Sequence, residues 1–418
     1  MPDKIKLLFY GDAPTAATGF GTVSKNLLTG LHQTGRYQIE VMGVNYWGDP
    51  HGFPFPIWPV GVGDKQDPYG RQRATDMMLS PMHQYDVLLM CHDSFILGYM
   101  DQVMPVLRES RKFAAISYFP VDGCPKAEWM RSMDLFDMPV TYTEYARREV
   151  IAAHPALEGR LKVIPHGAAT TDFYPAHAAT VSGFRKNYFG KHADKFIVTN
   201  VNRNQQRKDI PRTLMAFKEF HRRRPDSVLY LHLAARDQGW FIPEIVKSAG
   251  LVLGEDVLLP GGQFGPATGY AIHLLNLIYN CSDVVVSTTS GEGWGLSSVE
   301  AMACKTPVIF PDNTSLTEIV GQHRGYLVRS GATPNDFVIL PNDNEILRPI
   351  TDIMHMAETL TQVHDHPEQA AAKAEVAYTW ITGSLTWDQH IVPQWDRLIS
   401  DCVRKLRDDP APAIQGAA

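Results

Sequence analysis

The chain is 418 residues long, with 44% hydrophobic residues, 20% charged residues and a formal net charge of −6. That length predicts two domains of ordinary globular composition, and the acidic balance excludes a generally basic nucleic-acid binder while leaving a local basic groove open. The five cysteines, Cys91, Cys124, Cys281, Cys304 and Cys402, make no Cys-x-x-Cys motif, and an odd count in a long chain points to a reduced cytoplasmic setting rather than a disulfide scaffold.

The first residues, MPDKIKLLFYGD, read as a strand over 5–10 entering a glycine turn, not as a signal peptide. No apolar run reaches the length of a transmembrane segment. The loop GDAPTAATGFG follows, then a helix over 22–31. Its Gly19 and Gly21 do not match the dinucleotide fingerprint cleanly. Residues 39–44 form a second strand. The segment NYWGDPHGFPFPIWPVG is too rich in Pro and Gly for a helix or a central strand. Its Trp47, Phe53, Phe55 and Trp58 either stack on a ligand or pack over the domain edge, and packing is the commoner use.

Strands over 86–90 and 114–118 end in Cys91-His92-Asp93 and in FPVDGCP, which contains Asp122. Both loops fall on the ligand side of a doubly wound sheet. A strand over 140–143, a helix over 144–153 and the phrase VIPHGAATTDFYP, with His166, come next. Residues 180–195 read as a hinge between domains. A second sheet starts at 196–200 and runs into NRNQQRKDIPRTLMAF, where Arg203 and Lys208 stand five apart in a loop that opens a helix. An arginine can fork across phosphate oxygens and a lysine supplies a point charge. The basic HRRRPD, at a helix end, reads as a solvated surface.

After strands over 228–233 and 257–259 come the loop GGQFGPATGY and a helix over 272–280. The most informative stretch is 281–320. A β-branched strand over 283–288 leads to a glycine-punctuated turn over 290–295, a helix over 296–304 and a strand over 307–310. Gly293 and Gly295 let the backbone approach a ligand, and a helix start favours an anion. Glu292 in the loop and Glu300 one turn into the helix suit hydroxyl groups, because a carboxylate only accepts hydrogen bonds. A ligand with phosphates between two polyols, such as a nucleotide sugar, fits that layout. A short strand over 325–328 and helices over 352–363, 368–379 and 387–406 complete the ordered chain, and the tail 408–418 reads as disordered.

Glu292 and Glu300, with seven residues between them inside GEGWGLSSVEAMA, resemble the signature of family 4 retaining glycosyltransferases of the GT-B fold. Lys305 departs from it, standing where that family often has Gly. The resemblance implies an α/β chain of two Rossmann-like doubly wound domains facing a cleft. Residues 1–185 would form the acceptor domain, 186–380 the donor domain, and 381–407 a helix returning to the N-terminal domain. It implies that Glu292 contacts the donor sugar, Glu300 the ribose, and Arg203 and Lys208 the diphosphate, so that Arg203, Lys208 and Glu292 carry catalysis. Gly19, Gly21, Gly293, Trp294, Gly295, Leu296 and Ser297 would line the donor, and GGQFGPATGY would lie by the nucleobase. Thr18, Phe20, Thr22, His92, Asp93, Asp122 and His166 are possible acceptor or sugar contacts, although the family often has Asn for His166. Neither metal nor cofactor is implied beyond the nucleoside diphosphate sugar. The phrases TGFGTVSKNLL and NYWGDPHGFPFPIWPVG resemble a subgroup met in bacteriophage and environmental bacterial sequences, which would place the protein in a host cytoplasm. That adds a hydroxymethylated DNA base to saccharides and small molecules as acceptors. A GT-B-fold sugar-nucleotide epimerase and a catalytically silent nucleotide-sugar-binding module are the alternatives.

Overall fold

The computed structural model describes residues 4–61, 66–261 and 269–408. Two parallel sheets organise it. The first contains β1 (Ile5–Asp12), β2 (Tyr37–Val44), β3 (Ile57–Pro59), β4 (Val87–Cys91), β5 (Ala114–Phe119), β6 (Met138–Thr141) and β7 (Lys162–Val163), in the order β3-β2-β1-β4-β5-β6-β7. The second contains β8 (Phe196–Val201), β9 (Ser227–His232), β10 (Val257–Leu258), β11 (Val284–Val286), β12 (Val308–Pro311) and β13 (Tyr326–Val328), in the order β10-β9-β8-β11-β12-β13. Strands such as VLLMC in β4 and VVV in β11 are buried along their whole length, as parallel strands covered on both faces must be. Strand order reverses beside β1 and beside β8, and in open α/β sheets the loops at such switch points receive ligands.

Apolar packing is continuous between the halves. One cluster joins Leu7 and Phe9 of β1 to Val299 and Met302 of the helix Leu296–Ala303. Trp395, from the last helix Val392–Asp408, closes it from the far end. That helix crosses back onto the first sheet. Trp395 is fully buried edge-on to Tyr118 (4.7 Å), and the Asp396 carboxylate accepts from the Tyr37 hydroxyl (2.6 Å) and pairs with Arg36 (2.5 Å).

The expected hinge at 180–195 is instead mostly helix, Ala178–Phe189, docked on the helix Ile272–Cys281 through Phe189. Arg185 fixes it, donating to the backbone oxygens of Ala193 (2.7 Å), Lys195 (2.7 Å) and Cys281 (2.8 Å) and pairing with Asp283 (2.9 Å). Charged and small residues concealed a helix that packs through Val181, Phe184, Tyr188 and Phe189 and is also held by Arg185. The Pro-rich segment contributes β3 at a sheet edge, where Pro is tolerated. Phe55 is buried and Phe53 packs on the core, whereas Trp47 and Trp58 are 66% and 41% exposed. Arg222 and Arg223 of HRRRPD face solvent and Arg224 pairs with Asp365 (2.5 Å). A two-stranded antiparallel hairpin, β14 (Phe337–Ile339) and β15 (Leu347–Pro349), was not anticipated. Among the described residues no helix is long and apolar enough to cross a membrane.

Candidate active site

The loop after β11 is pinned before its side chains are considered. The Glu292 N–H donates to Thr314 Oγ1 (3.0 Å) and its carbonyl accepts from Ser315 Oγ (2.7 Å). Gly295 has φ +94°, the left-handed turn that releases the chain into the helix Leu296–Ala303. Gly291 and Gly293 also meet a demand from within the protein. A Cβ on Gly293 would come within 2.6 Å of Pro120 Cβ, and one on Gly291 within 2.0 Å of the Asp122 backbone oxygen. Both small residues are demanded by the facing loop of the first sheet.

Glu292 is buried, and its carboxylate takes the Lys208 ammonium on one oxygen and approaches Arg207 Nη1 at 3.5 Å on the other. Burial would raise this carboxyl, but Lys208 and Arg207 hold it below its ordinary value. Burial and the neighbouring Arg207 push Lys208 down to about 8, against the pull of Glu292. Arg203 does not join this group; it forks onto Asp237 with two 3.1 Å hydrogen bonds. Its place beside Lys208 is taken by Arg207, which also donates to the Gly291 oxygen (2.7 Å) and lies 3.5 Å from Asp122. The signal for Arg207 was the paired cations of QRK in the turn Gln206–Lys208.

One turn into the helix, Glu300 accepts from the Tyr279 hydroxyl at 2.7 Å. Burial raises its carboxyl to about 7 in spite of that bond. A small hollow opens beside it, lined from both halves by Thr22, Gly167, Phe173, Leu296 and Trp387. Ser297 is half-buried in the same first turn. The loop after β1 faces this helix, since a Cβ on Gly19 would lie 3.3 Å from Leu296 Cδ1. Gly21 serves the local turn, where a Cβ would strike the Ala16 oxygen at 2.2 Å. Thr18 caps the helix Gly19–Gln33 by accepting from the Gly21 N–H (2.9 Å) and donates its hydroxyl to Asp12. Burial raises the Asp12 carboxyl, opposed by Thr18 and by the charge of Arg203. Asp12 was not singled out from the sequence, where it falls in the loop after a strand over 5–10; the strand runs on to Asp12. Phe20 packs on the core.

At the end of β4, His92 is buried edge-on to Tyr10 (4.4 Å), and its Nε2 has no hydrogen-bond partner among the described residues. Burial pushes it down to about 3, so the ring is neutral. Asp93 is raised to about 7, by burial first and then by Asp122. Asp122 moves the other way: burial works against it, but Arg348 and Arg207 keep it ionised. His166 sits inside a buried ring cluster, 2.7 Å from the Tyr118 hydroxyl and 5.6 Å between ring centres from Trp294. Trp294 is itself buried in the core shared by the two halves. Residues 262–268 of GGQFGPATGY, expected beside the nucleobase, lie outside the described residues.

Two parallel Rossmann-like sheets whose carboxyl-end loops meet around Lys208, Glu292 and Glu300 define the GT-B fold. Residues 184–342 match the family model described as "Glycosyl transferases group 1". An α-maltose-1-phosphate synthase of Mycolicibacterium smegmatis is 26% identical over 218 residues, covering 51% of this chain and 54% of that protein. The chain thus spans about half the length of the curated relatives it matches. Sucrose-phosphate synthase from Thermosynechococcus elongatus superposes with a TM-score of 0.73 at 16% identity, over 96% of this chain and 100% of that one. HepE of Anabaena, in complex with UDP-glucose, superposes with a TM-score of 0.68 at 16% identity, over 95% of this chain and 100% of that one.

Proposed function

We propose that the protein is a family 4 retaining glycosyltransferase that moves a sugar from a nucleoside diphosphate sugar to an acceptor hydroxyl. The observation that carries this reading is the meeting of Lys208 and Glu292 at the foot of the helix Leu296–Ala303, with Glu300 one turn deeper. A diphosphate entering there would find Lys208, Arg207 and the helix start, donors suited to the charge that develops on a departing diphosphate. Glu292 would accept from the sugar hydroxyls and Glu300 from the ribose. Arg203 would complete the diphosphate contacts on leaving Asp237. The UDP-glucose held by the Anabaena neighbour supports a nucleotide-sugar donor.

In this reading the bond from the anomeric carbon to the diphosphate oxygen breaks as the bond to the acceptor oxygen forms. The acceptor proton passes to the departing diphosphate, and no metal is needed. The acceptor is a saccharide, a small molecule or a modified DNA base, and a cytoplasmic setting, in a phage host or otherwise, fits all three. The test is release of UDP or GDP from a panel of sugar donors, with and without acceptors, read together with an acceptor mass shift of one sugar. Release with a mass shift supports transfer. Donor binding without release in any combination would leave a silent binding module, and an isomerised donor with no release would make the protein an epimerase.

A further inference from the structure

The hairpin β14–β15 follows the second sheet, and β15 lies past the end of the family match at residue 342. Phe337, Ile339 and Leu347 are exposed, while Arg348 is only 1% exposed. A guanidinium taken out of water needs its charge and its donors answered. Asp343, in the hairpin turn, answers with two hydrogen bonds, Nε to Oδ2 at 2.7 Å and Nη2 to Oδ1 at 3.1 Å. Asp122, in the loop after β5, answers from the facing half. Arg348 Nη1 donates to its backbone oxygen and, at 3.1 Å, to its Oδ1. The other oxygen of Asp122 faces Arg207. The charges therefore alternate along one row, Asp343, Arg348, Asp122, Arg207, Glu292, Lys208. The row starts in the hairpin, enters the first half at Asp122 and returns to the candidate donor site.

We propose that Arg348 is a positioning residue that latches the two halves across the cleft and sets the donor-site charges through Asp122. The proposal rests on the transfer reading above. With Arg348 in place, Asp122 is ionised and shares Arg207, so that Arg207 is not drawn wholly onto Glu292. Glu292 then keeps acceptor capacity for a sugar hydroxyl. Without the latch, the loop at 120–124 loosens, Arg207 collapses onto Glu292, and the two halves lose their alignment. Lys208 and the helix start at Leu296 belong to the second half and keep their places, so free nucleotide should still bind.

The test uses Arg348→Lys, which keeps the charge but cannot fork, and Asp343→Asn, which loosens the fork and leaves the arginine. A misplacement of about 1 Å can cost on the order of 100-fold in rate. Arg348→Lys should lower kcat by roughly ten- to a hundredfold, with the Kd for UDP or GDP changed less than about threefold. Asp343→Asn should shift kcat the same way by less, and it carries the test if Arg348→Lys does not fold. An unchanged kcat in the folded variants overturns the proposal, as does a Kd that rises in step with the loss of kcat. Cys124 is the exposed cysteine and the other four are buried, so a fluorine label there reports on the loop. Its NMR line should narrow in both variants, and an unaltered line overturns the latch. If the wild type releases no nucleoside diphosphate from any donor, the transfer reading fails and the label alone decides on the latch.

Discussion

Glu292 and Glu300 belong to one motif but sit in opposite electrostatic settings. Two cations surround Glu292, whereas a single hydroxyl serves Glu300 and burial lifts it to about 7. Below pH 7 Glu300 is largely protonated, and above it the carboxylate is free to accept. If it accepts from the ribose, affinity for UDP or GDP should rise as pH climbs from 6 to 8. Glu300→Gln should flatten that rise, as titration calorimetry across the range would show, and a slope kept in the variant would remove the assignment. Glu292→Gln should behave differently. Losing this carboxylate leaves Lys208 buried without its counter-charge and Arg207 with Asp122 alone, both open to a diphosphate. Turnover should fall roughly ten- to a hundredfold, the scale of a charged hydrogen bond, while binding of free UDP holds or tightens. Weakened UDP binding would contradict the sugar-facing role. Glu292 and Glu300 were readable as neighbours because one turn and the helix after it carry both, whereas Lys208 meets Glu292 across 84 residues of sequence. Arg207 was passed over beside Lys208, and Arg203 was read as a phosphate ligand. Asp237, which holds it, lies 34 residues away in sequence, and no local pattern marks the pairing.

Most elements with a strong apolar period were legible, though the amphipathic helix Met100–Ser110, with Met100, Met104 and Leu107 buried, was not anticipated. The longer strands of both sheets, though not the edge strand β3, and the helix Gly19–Gln33, with Val23, Leu27, Leu28 and Leu31 buried, follow from their patterns. Ala178–Phe189 was missed because its packing side chains, Val181, Phe184, Tyr188 and Phe189, are mostly half-buried and stand among Lys, Arg, Gly and Ser. Lys305 shows a family departure with a local cost. It adopts φ +59° just past the helix Leu296–Ala303, where Gly is cheapest, and offsets this by pairing with Glu375 (2.7 Å) and lying over the Tyr378 ring (4.5 Å). Lys305→Gly should therefore change stability by less than about 1 kcal/mol, relief of the backbone offsetting the lost contacts. The last helix carries more weight. Trp395→Ala should cost about 3–5 kcal/mol, since a fully buried indole leaves a cavity among Tyr118 and its neighbours. Urea unfolding would measure it, and a loss under about 1 kcal/mol would mean that the helix is dispensable to the core.

At the scale of the molecule, the cleft brings together Lys208, Arg207 and Arg348 from one half with Asp122 from the other. Cationic side chains and a helix start face the proposed leaving group, so EDTA should leave transfer largely intact, measured as nucleoside diphosphate release. A large loss restored by magnesium or manganese would show that a metal holds the diphosphate. The two-sheet plan was legible from the order of the strands. The crossing charges were not, because they depend on loops that meet only after both sheets have formed. The returning helix has a consequence for how the chain is made. Tyr37 and Asp396 meet across 359 residues of sequence, and Trp395 fills a gap beside Tyr118 that belongs to the half synthesised first. On the ribosome that half emerges early and waits, its sheet assembled but its flank uncovered, while more than half of the chain is still untranslated. Contacts so far apart in sequence form slowly, and exposed apolar surface is what chaperones bind. A nascent chain arrested before residue 392 should therefore remain protease-sensitive around β2 and β5 and become resistant only once the last helix clears the exit tunnel.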